Sequence, residues 1–237
     1  MLIVKTVSVT PFEQNARVMT DDATGAQAVI DPGGGVKDII AALGGSASRL
    51  DFVFLTHAHM DHGGKVEELL SRAQLDGRAR PKLVAHVAET RMRAGLREQP
   101  LFFGLSAGEF DTVPEPDIYA EDAMVLTLGS VPLQLFHAPG HSPGHIVLYF
   151  PACDYLLERT DWDDEERGSG PLLFAGDVLF AGSVGRTDLP GGDSAELTRS
   201  IREKIFVLPA ETIVLSGHGP NTTIGREKKT NPFVRGQ

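Results

Sequence analysis

The 237-residue chain is 41% hydrophobic and carries a formal charge of −10 at pH 7. That apolar share suits a substantial core, and no Pro/Ser-rich linker or long polar run divides the chain, so one domain over residues 1–237 is expected. With Lys and Arg scattered through an acidic chain, there is little attraction for a phosphate backbone or an anionic membrane, and neither nucleic acid nor membrane is expected as a partner. The single cysteine, Cys153, allows no internal disulfide, no apolar run reaches membrane-spanning length, and the first residues lack a secretory pattern, so a cytoplasmic protein is expected.

In chain order, short bursts rich in β-branched and aromatic residues predict buried strands at Ala28–Ile30, Phe52–Leu55, Lys82–Ala85, Val131–Phe136, Ile146–Phe150, Leu172–Ala175 and Ile213–Leu215. Stretches with apolar residues three or four apart predict helices over Val36–Leu43, Lys65–Ala73 and Ala195–Val207. Interleaved strands and helices imply a layered α/β architecture. One polar insertion, at about 152–171 and most acidic from Asp161 to Glu166, is expected to be a solvated loop.

Four of the strand candidates end in loops that carry His or Asp beside a glycine. Phe52–Leu55 runs into Thr56-His57-Ala58-His59-Met60-Asp61-His62-Gly63-Gly64. In extended chain, residues two apart face the same side, so His57 and His59 can grip one ion, while Asp61 and His62 lie where the chain turns into a helix and can point towards another. Pro139-Gly140-His141, Gly176-Asp177 and Gly217-His218 close the other three strands. Imidazole and carboxylate suit zinc, iron or manganese, and the lone cysteine excludes a thiolate-rich site. The donors exceed what one tetrahedral ion can use, which points to two divalent ions bridged by a carboxylate.

His86 and His137 sit in apolar strand contexts and are expected to be structural, and His145 is expected to support the site or pack beside it. Asp31-Pro32-Gly33-Gly34-Gly35 lacks the Gly-Lys-Ser/Thr ending of a phosphate loop and reads as a turn. Ser142 and Ser216 have no His–Asp pair free to activate them, so serine catalysis is not expected.

The segment from Thr56 to Gly63, with His141, Asp177 and His218 following in order, resembles the metallo-β-lactamase superfamily over essentially the whole chain. Ala138–His145, Ala175–Phe180, Gly185–Pro190 and Thr223–Phe233 are further similar to compact bacterial glyoxalase II-like hydrolases. This resemblance implies a four-layer αββα sandwich. It also implies one metal on His57, His59 and His141, another on Asp61, His62 and His218, and Asp177 between them, with zinc first among the metals and iron or manganese accepted. Asp31 would support the metal loop. The implied activity is hydrolysis of a small-molecule thioester, S-2-hydroxyacylglutathione first among them, through a metal-bound hydroxide that Asp61 helps to orient. Arg186 is the candidate for a substrate carboxylate. The alternatives are a mononuclear iron persulfide dioxygenase, whose ligands would be His57, His141 and Asp177, and a lactonase or β-lactamase-like hydrolase.

Overall fold

The computed structural model describes residues 1–75, 79–104, 106, 108–160 and 164–234. The chain opens with β1 (Leu2–Val9), β2 (Gln14–Asp21) and β3 (Gln27–Ile30) in antiparallel succession. Helix α1 (Val36–Ala42) then carries the chain to β4 (Leu50–Phe54), and α2 (Met60–Gly63) with α3 (Val66–Leu75) carries it on to β5 (Lys82–Ala85). Both crossovers leave the strands parallel, and β6 (Ile118–Tyr119) adds a further parallel strand after α4 (Thr90–Ala94) and a 3₁₀ segment, Leu96–Phe103.

Strands β7 (Val125–Leu128), β8 (Val131–His137), β9 (Ile146–Arg159) and β10 (Asp164–Gly176) follow without an intervening helix, each antiparallel to the last. A small hairpin, β11 (Leu179–Phe180) with β12 (Ser183–Val184), precedes α5 (Ser194–Ser200), which runs on through a π turn, Ile201–Ile205. The chain returns as β13 (Ile213–Ser216), parallel to β10, and finishes with β14 (Thr222–Thr223) and α6 (Ile224–Thr230).

Side chains that alternate along each strand explain why these elements stack as layers. Leu2, Met19, Ile30 and Phe54 from one half of the sheet meet Leu135, Leu148, Phe150, Leu172 and Phe174 from the other in a single inner cluster. The opposite faces of the first half, including Val18, Val29 and Val53, pack on Ile39 of α1 and Leu69 and Leu70 of α3. Those of the second half, including Val147, Leu173 and Val214, pack on Leu197, Ile201 and Ile224. The result is the expected αββα sandwich, and each fully buried Leu or Phe contributes about 1.5–3 kcal/mol to it.

The expectation of a solvated loop at 152–171 is corrected. That segment continues β9 and β10 as a ladder, paired from Asp164↔Arg159 to Gly170↔Cys153, and β9 pairs in parallel with β1 from Leu2↔Tyr155 to Thr6↔Arg159. Tyr155, Leu156 and Leu157 are buried, and Tyr155 and Leu157 join the inner cluster. Acidic residues beyond them drew the segment towards a loop reading, but half of a strand that faces solvent has no reason to be apolar. The ladder is broken only between Gly170 and Leu172, where Pro171 has no N–H to give it. Residues 161–163, the most polar part of the insertion, lie outside the described residues.

Candidate metal centre

Every candidate ligand lies just past the C-terminal end of a strand: His57, His59, Asp61 and His62 after β4, His141 after β8, Asp177 after β10, His218 after β13. The loop after β4 is extended through His59 (φ −75°, ψ 151°) and then coils into α2, so His57 and His59 share one direction while Asp61 and His62 turn away. The turn Asp31–Gly33 packs directly on this loop: a Cβ at Gly33 would lie 1.5 Å from the Asp61 carbonyl oxygen. At Gly217 a Cβ would lie 2.3 Å from Asp177 Oδ1, so only glycine lets the β13 loop come this close.

The structure brings all seven together. His57 Nε2, His59 Nδ1 and His141 Nε2 form a triangle with sides of 3.0, 3.1 and 2.9 Å. Beside it, His62 Nε2 and His218 Nε2 are 3.3 Å apart, and Asp61 Oδ2 is 3.3 Å from His218 Nε2 and 3.8 Å from His62 Nε2. Asp177 lies between the groups, with Oδ2 3.7 Å from His141 Nε2 and 3.6 Å from His218 Nε2. Its Oδ1 is buried without a hydrogen-bond partner, 3.3 Å from His62 Nε2.

Tautomers follow from the other ring nitrogens. His57 Nδ1 faces Thr56 Oγ1 at 3.0 Å, His62 Nδ1 faces Asp31 Oδ2 at 2.9 Å, His141 Nδ1 faces the Arg186 carbonyl at 2.8 Å, and His218 Nδ1 faces the Phe12 carbonyl at 3.0 Å. Each acceptor holds the proton on Nδ1 and turns the Nε2 lone pair inward. Three lone pairs within about 3 Å repel one another unless a cation takes them. Burial and then the neighbouring imidazoles hold His57 well below the ordinary histidine range, and burial followed by His141 brings His59 down to about 3, so both are neutral donors. His62 goes the other way: burial opposes its charge, but Asp177, Asp61 and Asp31 outweigh burial and raise it. Positive charge is thus favoured where the carboxylates converge. Imidazole and carboxylate oxygen fit zinc, iron or manganese in two adjacent cradles, and Cys153 lies in β9 beside the inner cluster.

Asp31 also groups with His57 and His62, but its Oδ1 accepts from Thr56 N at 2.7 Å and its Oδ2 from Thr56 Oγ1 at 2.7 Å. Those bonds, with His62, occupy it as an orienting group. His145 is fully buried and its Nε2 accepts the Asp177 N–H at 3.0 Å, holding the carboxylate's backbone in place. His86 and His137 stack on each other with ring centroids 3.9 Å apart, away from the ligand cluster. Ser142 is buried with no partner, and Ser216 Oγ donates to the Leu179 carbonyl, so neither is a poised nucleophile.

Two residues that organise the site escaped the sequence reading. Glu89 is fully buried, accepting from Ala58 N at 2.7 Å and Gly144 N at 2.6 Å, and so ties the His57–His59 loop to the His141 loop. It follows β5 as the ligands follow their strands, but it is neither His nor Asp and no glycine adjoins it, so the pattern that found them passes it over. Gln99 accepts from Met60 N at 2.9 Å and donates to the Ala58 carbonyl at 2.8 Å, gripping the backbone on both sides of His59. No local pattern marks it.

The profile of the metallo-β-lactamase superfamily matches residues 9–157 and 165–218. The chain belongs to the metallo-β-lactamase superfamily. It is 33% identical over 231 residues to hydroxyacylglutathione hydrolase GloC of Haemophilus influenzae, covering 98% of this chain and 97% of that one. Among solved structures, the BLEG-1 B3 metallo-β-lactamase superposes with a TM-score of 0.79 at 34% identity, covering 100% of both chains. A di-iron-bound form of TTHA1623 superposes with a TM-score of 0.74 at 31% identity, covering 96% of this chain and 98% of that one.

In this metallo-β-lactamase superfamily chain the centre opens into a pocket of about 260 Å³, walled by Phe12, Met60, Gln99, Phe103 and Leu189. Phe12 and Phe103 meet edge to face across it, with centroids 5.9 Å apart. Arg186 lines the same pocket, but Asp188 holds its guanidinium at 2.7 and 2.8 Å. No helix among the described residues is long and apolar enough to cross a membrane.

Proposed function

We propose that the chain hydrolyses a small-molecule thioester, S-2-hydroxyacylglutathione first among the candidates, with two divalent ions in the His/Asp cradles. The observation that carries the reading is the pair of cradles meeting at Asp177, whose Oδ2 lies between His141 and His218, on the floor of an apolar-walled pocket. His57, His59 and His141 would hold one ion, Asp61, His62 and His218 the other, and Asp177 both. Bound there, the ions would supply hydroxide at neutral pH and an electrostatic hold for charge developing on the substrate carbonyl. Asp61 Oδ2, at the rim of the pocket, would accept a hydrogen bond from the attacking water and align it.

The walls favour a thiolate leaving group. Apart from the candidate ligands, the described residues lining the pocket carry no acid that could protonate a departing amine, and Arg186 is tied to Asp188. A thiol of pKa about 8.5 can leave as its anion, whereas an amide nitrogen cannot. Similarity to GloC supports the same substrate class.

A second reading, β-lactam hydrolysis, is favoured by the likeness to BLEG-1 over the full chain. Purified protein of measured metal content decides between them when offered S-lactoylglutathione and a cephalosporin, each with and without chelator. Chelator-sensitive thioester cleavage with about two metals per chain is expected. Cephalosporin cleavage alone would replace the reading, and oxygen uptake with a glutathione persulfide would replace both with an iron oxygenase.

A further inference from the structure

Next to the metal pocket lies a larger cleft of about 660 Å³, and the two share His59, Gln99, Phe103 and Leu189 as a common wall. Its sides are mainly apolar, from Met92, Phe102, Phe103, Leu189 and Pro190, and Asp188, which is paired with Arg186, lines it too. Phe102 is 79% exposed and Phe103 44%, with Leu101 beside them at 60%, a concentration of exposed apolar surface that the core does not require. Gln99 ties this wall by two hydrogen bonds to the backbone around His59, so the cleft is joined directly to the metal loop.

Two cations border the combined cavity. Arg186 is neutralised by Asp188, while Arg91 lines the cleft and no described side chain pairs with it. In a chain of net charge −10, an exposed guanidinium without a described partner on the wall of a mainly apolar cleft is placed for an anion that arrives with the ligand.

The geometry points to this cleft as the site for one arm of the thioester substrate, a segment that packs on these apolar walls and ends in a carboxylate, with Arg91 rather than Arg186 as its anchor. This rests on the hydrolase reading above. An unreactive probe separates the two: 3-(benzylsulfanyl)propanoic acid carries an apolar ring, a sulfur that cannot be hydrolysed and a terminal carboxylate, and its primary amide lacks only the charge.

Titration calorimetry on the metal-loaded protein is expected to show the acid binding about fivefold more tightly than the amide, the size of a partly exposed charge pair. Arg91→Met, which keeps an apolar stem, should bring acid and amide to parity without weakening the amide. Phe102→Ser should weaken both by the same factor. Parity in the unmodified protein, or an acid preference that survives Arg91→Met because the carboxylate sits on the metals, overturns the assignment. So does absence of saturable binding, or a dimer in sedimentation that Phe102→Ser dissolves. Arg91-dependent binding in a protein that leaves every thioester intact supports the cleft and removes the thioesterase reading alone.

Discussion

Buried carboxylates hold this site together, and they divide into those aimed at the cation cradles and those aimed at backbone. Asp177 is of the first kind: its Oδ1 lies 3.3 Å from His62 Nε2 and its Oδ2 within 3.7 Å of His141 and His218, which places it to serve both of the proposed ions. Asp177→Asn keeps the shape and removes the charge. Metal content, read by elemental analysis, is expected to fall to one ion or fewer per chain and hydrolysis by about 100-fold or more, while circular dichroism stays native; full loading would reject the shared-ligand assignment. Glu89 is of the second kind, since its oxygens face N–H groups of the two loops that carry His57, His59 and His141. In Glu89→Gln one oxygen becomes an NH₂ facing an N–H. Affinity for metal, measured against a chromophoric chelator, should drop about 10–100-fold, and Glu89→Ala should also lose about 1–3 kcal/mol for each N–H left unpaired.

At the scale of elements, the ends of β4, β8, β10 and β13 deliver the ligands, and what keeps these ends level is the strand pairing behind them. The β9–β10 extension belongs to that frame, because β9 bonds both β10 and β1 and so joins the two halves of the sheet. Leu157→Ala is therefore expected to cost about 2–5 kcal/mol in denaturant unfolding, like other large-to-small changes in a core. Glu165→Ala, on the exposed side of the same hairpin, should stay within about 0.5 kcal/mol. Equal, negligible effects would mean that the hairpin contributes nothing to the sheet. The ligand-bearing strands were legible because each is an apolar burst cut off by glycine, proline or polar residues, whereas β1 and β2, in which polar residues such as Lys5, Ser8, Asn15 and Arg17 break the apolar run, were not. The extension was not, since only alternate residues of a half-exposed strand are apolar, and Tyr155, Leu156 and Leu157 are followed by an acidic run.

Over the whole molecule, buried or tightly bonded titratable groups set the response to acid. Burial alone would raise Asp21, but hydrogen bonds from Ser130 N–H, the Thr24 and Ser130 hydroxyls and Ala23 N–H outweigh it and bring the carboxyl down to about 2. These bonds tie the β2–β3 turn to the β7–β8 turn, one in each half of the sandwich. His86 is brought down to about 4 by burial and then by His137, with Lys204 adding to this and Asp122 opposing it. Both groups bind protons more weakly folded than unfolded, so each stabilises the fold above its unfolded pKa and loses that contribution as pH falls. The His86 contribution is lost between pH 6.5 and about 4, that of Asp21 between 3.8 and about 2. His86→Asn retains an acceptor for Ala88 N–H but cannot titrate. Thermal unfolding of this variant is expected to show a shallower decline in Tm across pH 6.5 to 4 than the parent protein; superimposable curves would remove His86 from the account.

Residue types and spacing by themselves determined the kind of chemistry here: seven His and Asp donors after strand ends, too many for one ion and free of thiolate, specify metal-centred work in a layered α/β chain. Such information is local, since a strand end, a glycine and a ligand are neighbours in sequence. Only the tertiary structure decided which donors share a cradle, that Asp177 lies between both, that Glu89 and Gln99 brace the loops, and that Arg186 is tied to Asp188 while Arg91 is not. Apart from the local Arg186–Asp188 pair, those are contacts between segments tens of residues apart, from Ala58 to Glu89 and Gln99 and from His62 to His218. Their partners are chosen by the packing of whole layers, which no window of sequence contains.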